Sequence, residues 1–120
     1  MLAALLGTPF FPPLDGAILF LEDVHEAFYR IDRMLTQLRL GGKLERLAGV
    51  VFGYCSECPT DAPSFSFEEI LTEFFATLGV PACAGLAFGH LKEKLTLPVG
   101  LDATLDADAG TLTFAEAAVT

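Results

Sequence analysis

Apolar and polar positions along this chain fall into two alternating patterns. Ala17 to Leu21 is an unbroken apolar run closed by Glu22 and Asp23, which predicts a strand over 17–22 buried on both faces. From Glu26 to Leu40 the period changes. Phe28, Ile31, Leu35 and Leu38 recur at steps of three and four with Arg30, Arg33 and Gln37 between them. That spacing predicts an amphipathic helix, ended by Gly41-Gly42. "LAGVVFGYC" at 47–55 predicts a second buried strand. Ser66, with Glu69 three places on, predicts a capping box that opens a helix over 67–78, which Gly79 closes. "VPACAGL" predicts a third strand, and "ATLDADAGTLTF" a β-hairpin turning about Asp108, Ala109 and Gly110. At the other end, "LAALL" forms one helical turn or two behind Met1, which is no cap, as if the chain began inside a helix. "TPFFPPLDG" is a loop, because Pro9, Pro12 and Pro13 each remove a donor and fix φ.

Strands alternating with helices predict an α/β fold: a small, mostly parallel sheet with flanking helices and a C-terminal β-hairpin. The 120 residues suit one domain with a single core. In such sheets ligands gather beyond the carboxyl ends of the strands. Glu22 sits at one such end, and His90, in the loop after the third strand, at another.

Composition adds three constraints. Apolar residues are 52% of the chain and mean hydropathy is +0.52, high for a small domain that covers its own core. Two readings of that figure stand side by side: apolar surface at an interface with another domain or subunit, in the simplest case a homodimer, or α/β strands buried on both faces. No run approaches the roughly 20 apolar residues of a membrane helix, and the start lacks the basic flank of a secretory signal. The expected address is the cytoplasm. Sixteen acidic against seven basic residues give a net charge of -9 with no Lys/Arg cluster, which excludes nucleic acid and anionic membranes as natural partners. Three cysteines cannot all pair and fit a reducing compartment.

A carboxylate facing an imidazole fixes the imidazole's tautomer and stabilises the imidazolium, so Glu22 and His90 together make two-thirds of a nucleophilic triad. The plainer alternatives are that Glu22 and Asp23 form a solvated strand end or a helix cap, and that His90 is a surface residue of a glycine-flanked turn. Glu26 is the second candidate acid. His25 reads as a solvated residue at a helix start. Arg30 and Arg33 could hold a substrate carboxylate, although their spacing to Glu26 and Asp32 favours surface ion pairs. Cys55 and Cys58 form a C-x-x-C that Cys83 and His90 complete, by count, as a zinc set. The alternative is an incidental pair of cysteines, one at a strand end and one in a flexible loop, with Cys83 a small core residue.

"LFLEDV", "YRIDRMLTQL" and "GLAFGH" followed by "LTLPVG", in that order and spacing, resemble the C-terminal domain of the L,D-carboxypeptidases, over about residues 5–114. The resemblance implies a serine peptidase of cytoplasmic peptidoglycan recycling, which uses a Ser-Glu-His triad to release the terminal D-alanine of murein tetrapeptide. It places the triad glutamate on Glu22 and the histidine, general base and then general acid, on His90. It implies no cofactor and no metal. In the family the nucleophile belongs to a separate N-terminal domain, and Met1 falls where the interdomain connection enters this one. Ser56, Ser64 and Ser66 lie in loop and cap positions, outside any strand-to-helix nucleophile elbow. Residues 1–120 are therefore expected to be the C-terminal domain alone, with its own N-terminal nucleophile domain and murein tetrapeptide as partners, and to be catalytically silent in isolation. The rival expectations are a non-catalytic, dimerising interaction domain of the same fold and a zinc-binding module.

Overall fold

The computed structural model describes residues 1–59 and 65–119. A short 3-10 turn, Leu2–Leu5, precedes strand β1 (Ile18–Val24), helix α1 (Phe28–Leu40), strand β2 (Gly49–Ser56), helix α2 (Phe67–Ala76), strand β3 (Ala82–Ala84), and strands β4 (Ala103–Asp106) and β5 (Thr111–Phe114). β1, β2 and β3 form one parallel sheet with β2 in the centre, while β4 and β5 pair antiparallel as a separate hairpin. This is the α/β architecture that the alternating pattern predicts.

The central strand is the one buried on both faces. Val50, Val51 and Phe52 are 0%, 1% and 2% exposed, as expected for a strand with a ladder on each side and packing above and below. α1 and α2 cover one face, where Ile31, Leu35, Leu38, Ile70, Leu71 and Phe74 join Leu19, Val50 and Phe52 in the core. Phe67 is wedged between Phe28, stacked at 5.5 Å, and Phe52, edge-on at 5.3 Å. Phe88 meets Phe20 edge to face at 5.7 Å.

β1 differs from its expectation in two ways. Only Leu19 is buried, and the other residues are intermediate, because β1 is an edge strand with a single ladder neighbour. It also runs on through Glu22 and Asp23 to Val24, so the acidic pair lies within the strand. α1 begins at Phe28, the first apolar residue of the period and two residues after Glu26, because Ala27 keeps an extended backbone and its N–H is taken by Glu26 Oε1 at 3.0 Å.

The capping box of α2 is present: Glu69 N–H donates to Ser66 Oγ at 3.2 Å, and Ser66 N–H donates to Glu69 Oε2 at 2.8 Å. The helix stops at Ala76, where the Thr77 hydroxyl donates to the Phe74 carbonyl at 2.7 Å. β3 is only three residues long. The hairpin turn is fixed by Asp106, whose Oδ1 accepts from Ala109 N–H at 2.9 Å. No helix among the described residues is long and apolar enough to cross a membrane.

Candidate active site

The site begins with an irregularity in the β1–β2 ladder. Leu21 pairs with Phe52, yet the next pair is Asp23 with Cys55, so Gly53 and Tyr54 together oppose the single residue Glu22. An extra residue on one strand bends the ladder and re-aims the side chain opposite it. The second half of the site comes from the chain leaving β3. Gly85 N–H still reaches the Phe52 carbonyl, at 2.9 Å. Phe88 is then buried over Phe20, in space that Gly53 leaves free: a Cβ on Gly53 would stand 3.0 Å from Phe88 Cε1 and 3.2 Å from the Leu86 carbonyl. Gly89, with φ +84°, turns the chain so that His90 arrives above Glu22.

His90 and Glu22, 68 positions apart, make three contacts. The His90 ring Nδ1 stands 2.9 Å from Glu22 Oε2 and 3.1 Å from Oε1, and the His90 backbone N–H donates to Oε2 at 3.1 Å. A carboxylate is an acceptor, so this geometry favours the tautomer with the proton on Nδ1 and leaves the Nε2 lone pair free. The glutamate side chain is 23% exposed and the imidazole 63%. A largely sheltered acid thus holds an open base. The arrangement can take a proton at Nε2 and stabilise the resulting imidazolium through Nδ1.

The other candidates lie apart from this pair. Asp23 Oδ1 accepts from Val24 N–H at 2.9 Å. His25 is solvated, as expected, but precedes the helix in left-handed backbone, φ +55°, and its Nε2 is 3.3 Å from Glu57 Oε2. Glu26 serves the start of α1, with Oε1 on Ala27 N–H and 3.6 Å from Arg30 Nε. Arg30 forms that expected pair and also donates to the Tyr29 hydroxyl at 3.1 Å, which together with Glu26 raises its already high pKa. Arg33 lines a shallow groove with Leu6 and Leu40. Ser56 closes β2 and gives its carbonyl to His25 N–H, Ser66 is the cap of α2, and Ser64 lies outside the described residues.

The cysteines require a correction. Cys55 and Cys58 are joined in a disulfide, with Cα atoms 5.7 Å apart, so they are neither an incidental pair nor free thiolates for zinc. The bond is feasible because Glu57, at φ +55°, folds the loop back on β2 within the usual bridging distance. Cys83 is half-buried in β3, opposite Val51, and that burial pushes its thiol pKa up. No cluster of three metal-ligating side chains occurs among the described residues. Sequence reasoning missed Gly53 and Phe88, which shape the loop carrying His90. The one signal for them was a glycine inside an otherwise apolar strand, a sign of close approach by another group.

Residues 1–105 match the family model of the LD-carboxypeptidase C-terminal domain. The chain belongs to this family. Among its relatives is a protein of Synechocystis sp., provisionally named a carboxypeptidase, 49% identical over 91% of this chain and 37% of its own length. The murein tetrapeptide carboxypeptidase of Pseudomonas aeruginosa is 35% identical over 76% of this chain and 30% of its own. In three dimensions the domain superposes on the crystal structure of muramoyltetrapeptide carboxypeptidase from Oxalobacter formigenes with a TM-score of 0.83 and 42% identity, over 93% of this chain and 39% of that one. The chain thus spans between 30% and 39% of the length of these relatives.

Proposed function

We propose that this LD-carboxypeptidase domain supplies the acid–base half of a serine peptidase site that releases the terminal D-alanine of murein tetrapeptide, the nucleophilic serine coming from a second domain. The observation that carries the reading is the contact of His90 Nδ1 with Glu22 at 2.9 and 3.1 Å. In the proposed reaction Glu22 keeps the Nδ1 proton in place. His90 Nε2 takes the serine proton as the hydroxyl attacks the amide, and the imidazolium formed is stabilised by the carboxylate. Nε2 then returns the proton to the departing D-alanine amine, and the cycle repeats with water.

Three features support this assignment. The exposed imidazole is open to a group from outside the domain, whereas Ser66 is committed to capping α2. An open groove of about 260 Å3 beside Glu22, lined by Met1, Leu2, Leu21, Met34 and Leu38, offers apolar surface for a docking domain. The Pseudomonas aeruginosa relative carries the name of the reaction. The test is D-alanine release from murein tetrapeptide by protein containing both domains. His90→Ala is expected to abolish most turnover, and near-normal turnover by that variant would refute the assignment.

A further inference from the structure

Gly89 stands between the two residues of the pair, and its missing side chain is what lets them meet. A Cβ built on Gly89 would overlap Oε2 and Cδ of Glu22 and lie 2.5 Å from Cγ, far inside van der Waals contact. The overlapping atoms all belong to the Glu22 side chain, so the crowding is relieved only if that side chain leaves its place. The whole end of the glutamate occupies the space, and it is held there by the N–H of the next residue, His90, at 3.1 Å. The same glycine has φ +84°, where an L side chain is already disfavoured. Two separate demands therefore fall on one position.

We infer that Gly89 is a positioning residue for the Glu22–His90 pair, through its absent side chain: it seats the carboxylate directly beneath the backbone so that one carboxylate binds both the N–H and the ring Nδ1 of His90. With a methyl at this position, Glu22 must swing away. It then loses both partners together, because they belong to one residue. The imidazole keeps its place on the chain but loses the acceptor that selects its tautomer. The consequence for turnover rests on the acid–base reading above, whereas the geometry itself is open to measurement without substrate.

Gly85 provides the control. It has φ +90° in the same connection, but a Cβ there would meet nothing closer than the Tyr54 hydroxyl at 3.9 Å, an ordinary contact. Ala at 85 carries the backbone strain without the overlap.

The experiment is nitrogen NMR of the His90 ring in the 120-residue chain, with the amide spectrum as a check of fold. The parent chain and Gly85→Ala are expected to hold the Nδ1–H tautomer. Gly89→Ala and Gly89→Asn should both lose it, although asparagine tolerates left-handed backbone. Retention of the tautomer by Gly89→Ala would overturn the inference, and so would its loss in Gly85→Ala or its rescue by Gly89→Asn. If Gly89→Ala fails to fold, the Glu22→Ala background decides. There Gly89→Ala should cost no more stability than Gly85→Ala, and a larger loss overturns the overlap argument. In two-domain protein, Gly89→Ala is expected to lower kcat about 100-fold with KM little changed, the usual scale for a displaced catalytic group. Loss of the tautomer with full turnover would leave the positioning intact and sink the acid–base reading instead.

Discussion

Replacing Glu22 by glutamine changes one oxygen to an NH2 and little else in shape, so it isolates the charge and the acceptor. The carboxylate now meets two donors on His90, the ring Nδ1 at 2.9 Å and the backbone N–H at 3.1 Å. Both contacts go to the same oxygen, Oε2, while Oε1 lies 3.1 Å from Nδ1. A glutamine oxygen in the place of Oε2 still faces both donors, but its NH2 then stands where Oε1 was, beside Nδ1, and competes against the Nδ1 proton on which the proposed base at Nε2 depends. If the amide flips, the NH2 takes the place of Oε2 and the backbone N–H loses its acceptor. In either case the imidazolium loses its counter-charge. An equivalent carboxylate-to-amide change in a serine-peptidase triad costs about 10^4-fold in kcat, or about 5.5 kcal/mol of barrier at 1.36 kcal/mol per tenfold. The stability cost is much smaller. The imidazole is 63% exposed, so water screens the pair and its worth to folding is about 0–1 kcal/mol. The assay is D-alanine release by two-domain protein, paired with thermal unfolding of the same samples. A loss of kcat near 10^4-fold with nearly unchanged melting is the expected signature, whereas a loss under about tenfold would refute the reasoning. Glu22→Asp keeps the charge but falls one methylene short of bridging both donors, and should lie between the two.

Other expectations are independent of catalysis. Ser66→Ala removes the cap of α2 and should cost about 1 kcal/mol, read as a melting point about 4 °C lower for a domain of this size. The Ser66 hydroxyl and N–H hold the Glu69 carboxyl below its ordinary pKa. Their contribution is therefore present above the unfolded value of about 4.3 and lost as pH falls through the lower folded value. The gap between Ser66→Ala and parent should narrow in acid, and a gap constant down to full protonation would count against the box. Thiol titration of the unfolded, unreduced chain should find one reactive group of the three cysteines, Cys83, with all three after reduction; three before reduction would exclude the disulfide. In the native chain, burial makes Cys83 slower toward maleimide than in the unfolded one. Phe52→Ala, at the centre of the core and 2% exposed, should cost about 3–5 kcal/mol, and a loss below 1 kcal/mol would contradict the burial.

The elements were largely legible because their signals are local. The three- and four-residue steps of Phe28, Ile31, Leu35 and Leu38, the Ser66–Glu69 pair and the turn before Gly110 each fix a helix or hairpin within a few residues of where it lies. Sheet order is not local. Nothing in Ala17 to Leu21 distinguishes an edge strand from a central one, and so β1 looked doubly buried when β2 alone is. The bulge at Gly53 and Tyr54 was equally hidden, since it exists only relative to β1. Glu22 and His90 were found as strand-end candidates, but their meeting depends on a bulge, a buried Phe88 and a turn at Gly89. Spacing carries none of that, and the family resemblance supplied the pairing. The Cys55–Cys58 bond went unread because C-x-x-C spacing serves a disulfide, a metal site or neither, and the choice lies with the backbone at Glu57.

In the proposed site the acid and base belong to this domain and the nucleophile to another. The most direct measurement is D-alanine release from murein tetrapeptide by the 120-residue chain, by the same chain joined to the remainder typical of its relatives, and by the joined protein carrying His90→Ala. Turnover only in the joined parent protein is the expected result. Release by the 120-residue chain, or undiminished release by the His90→Ala protein, would contradict it.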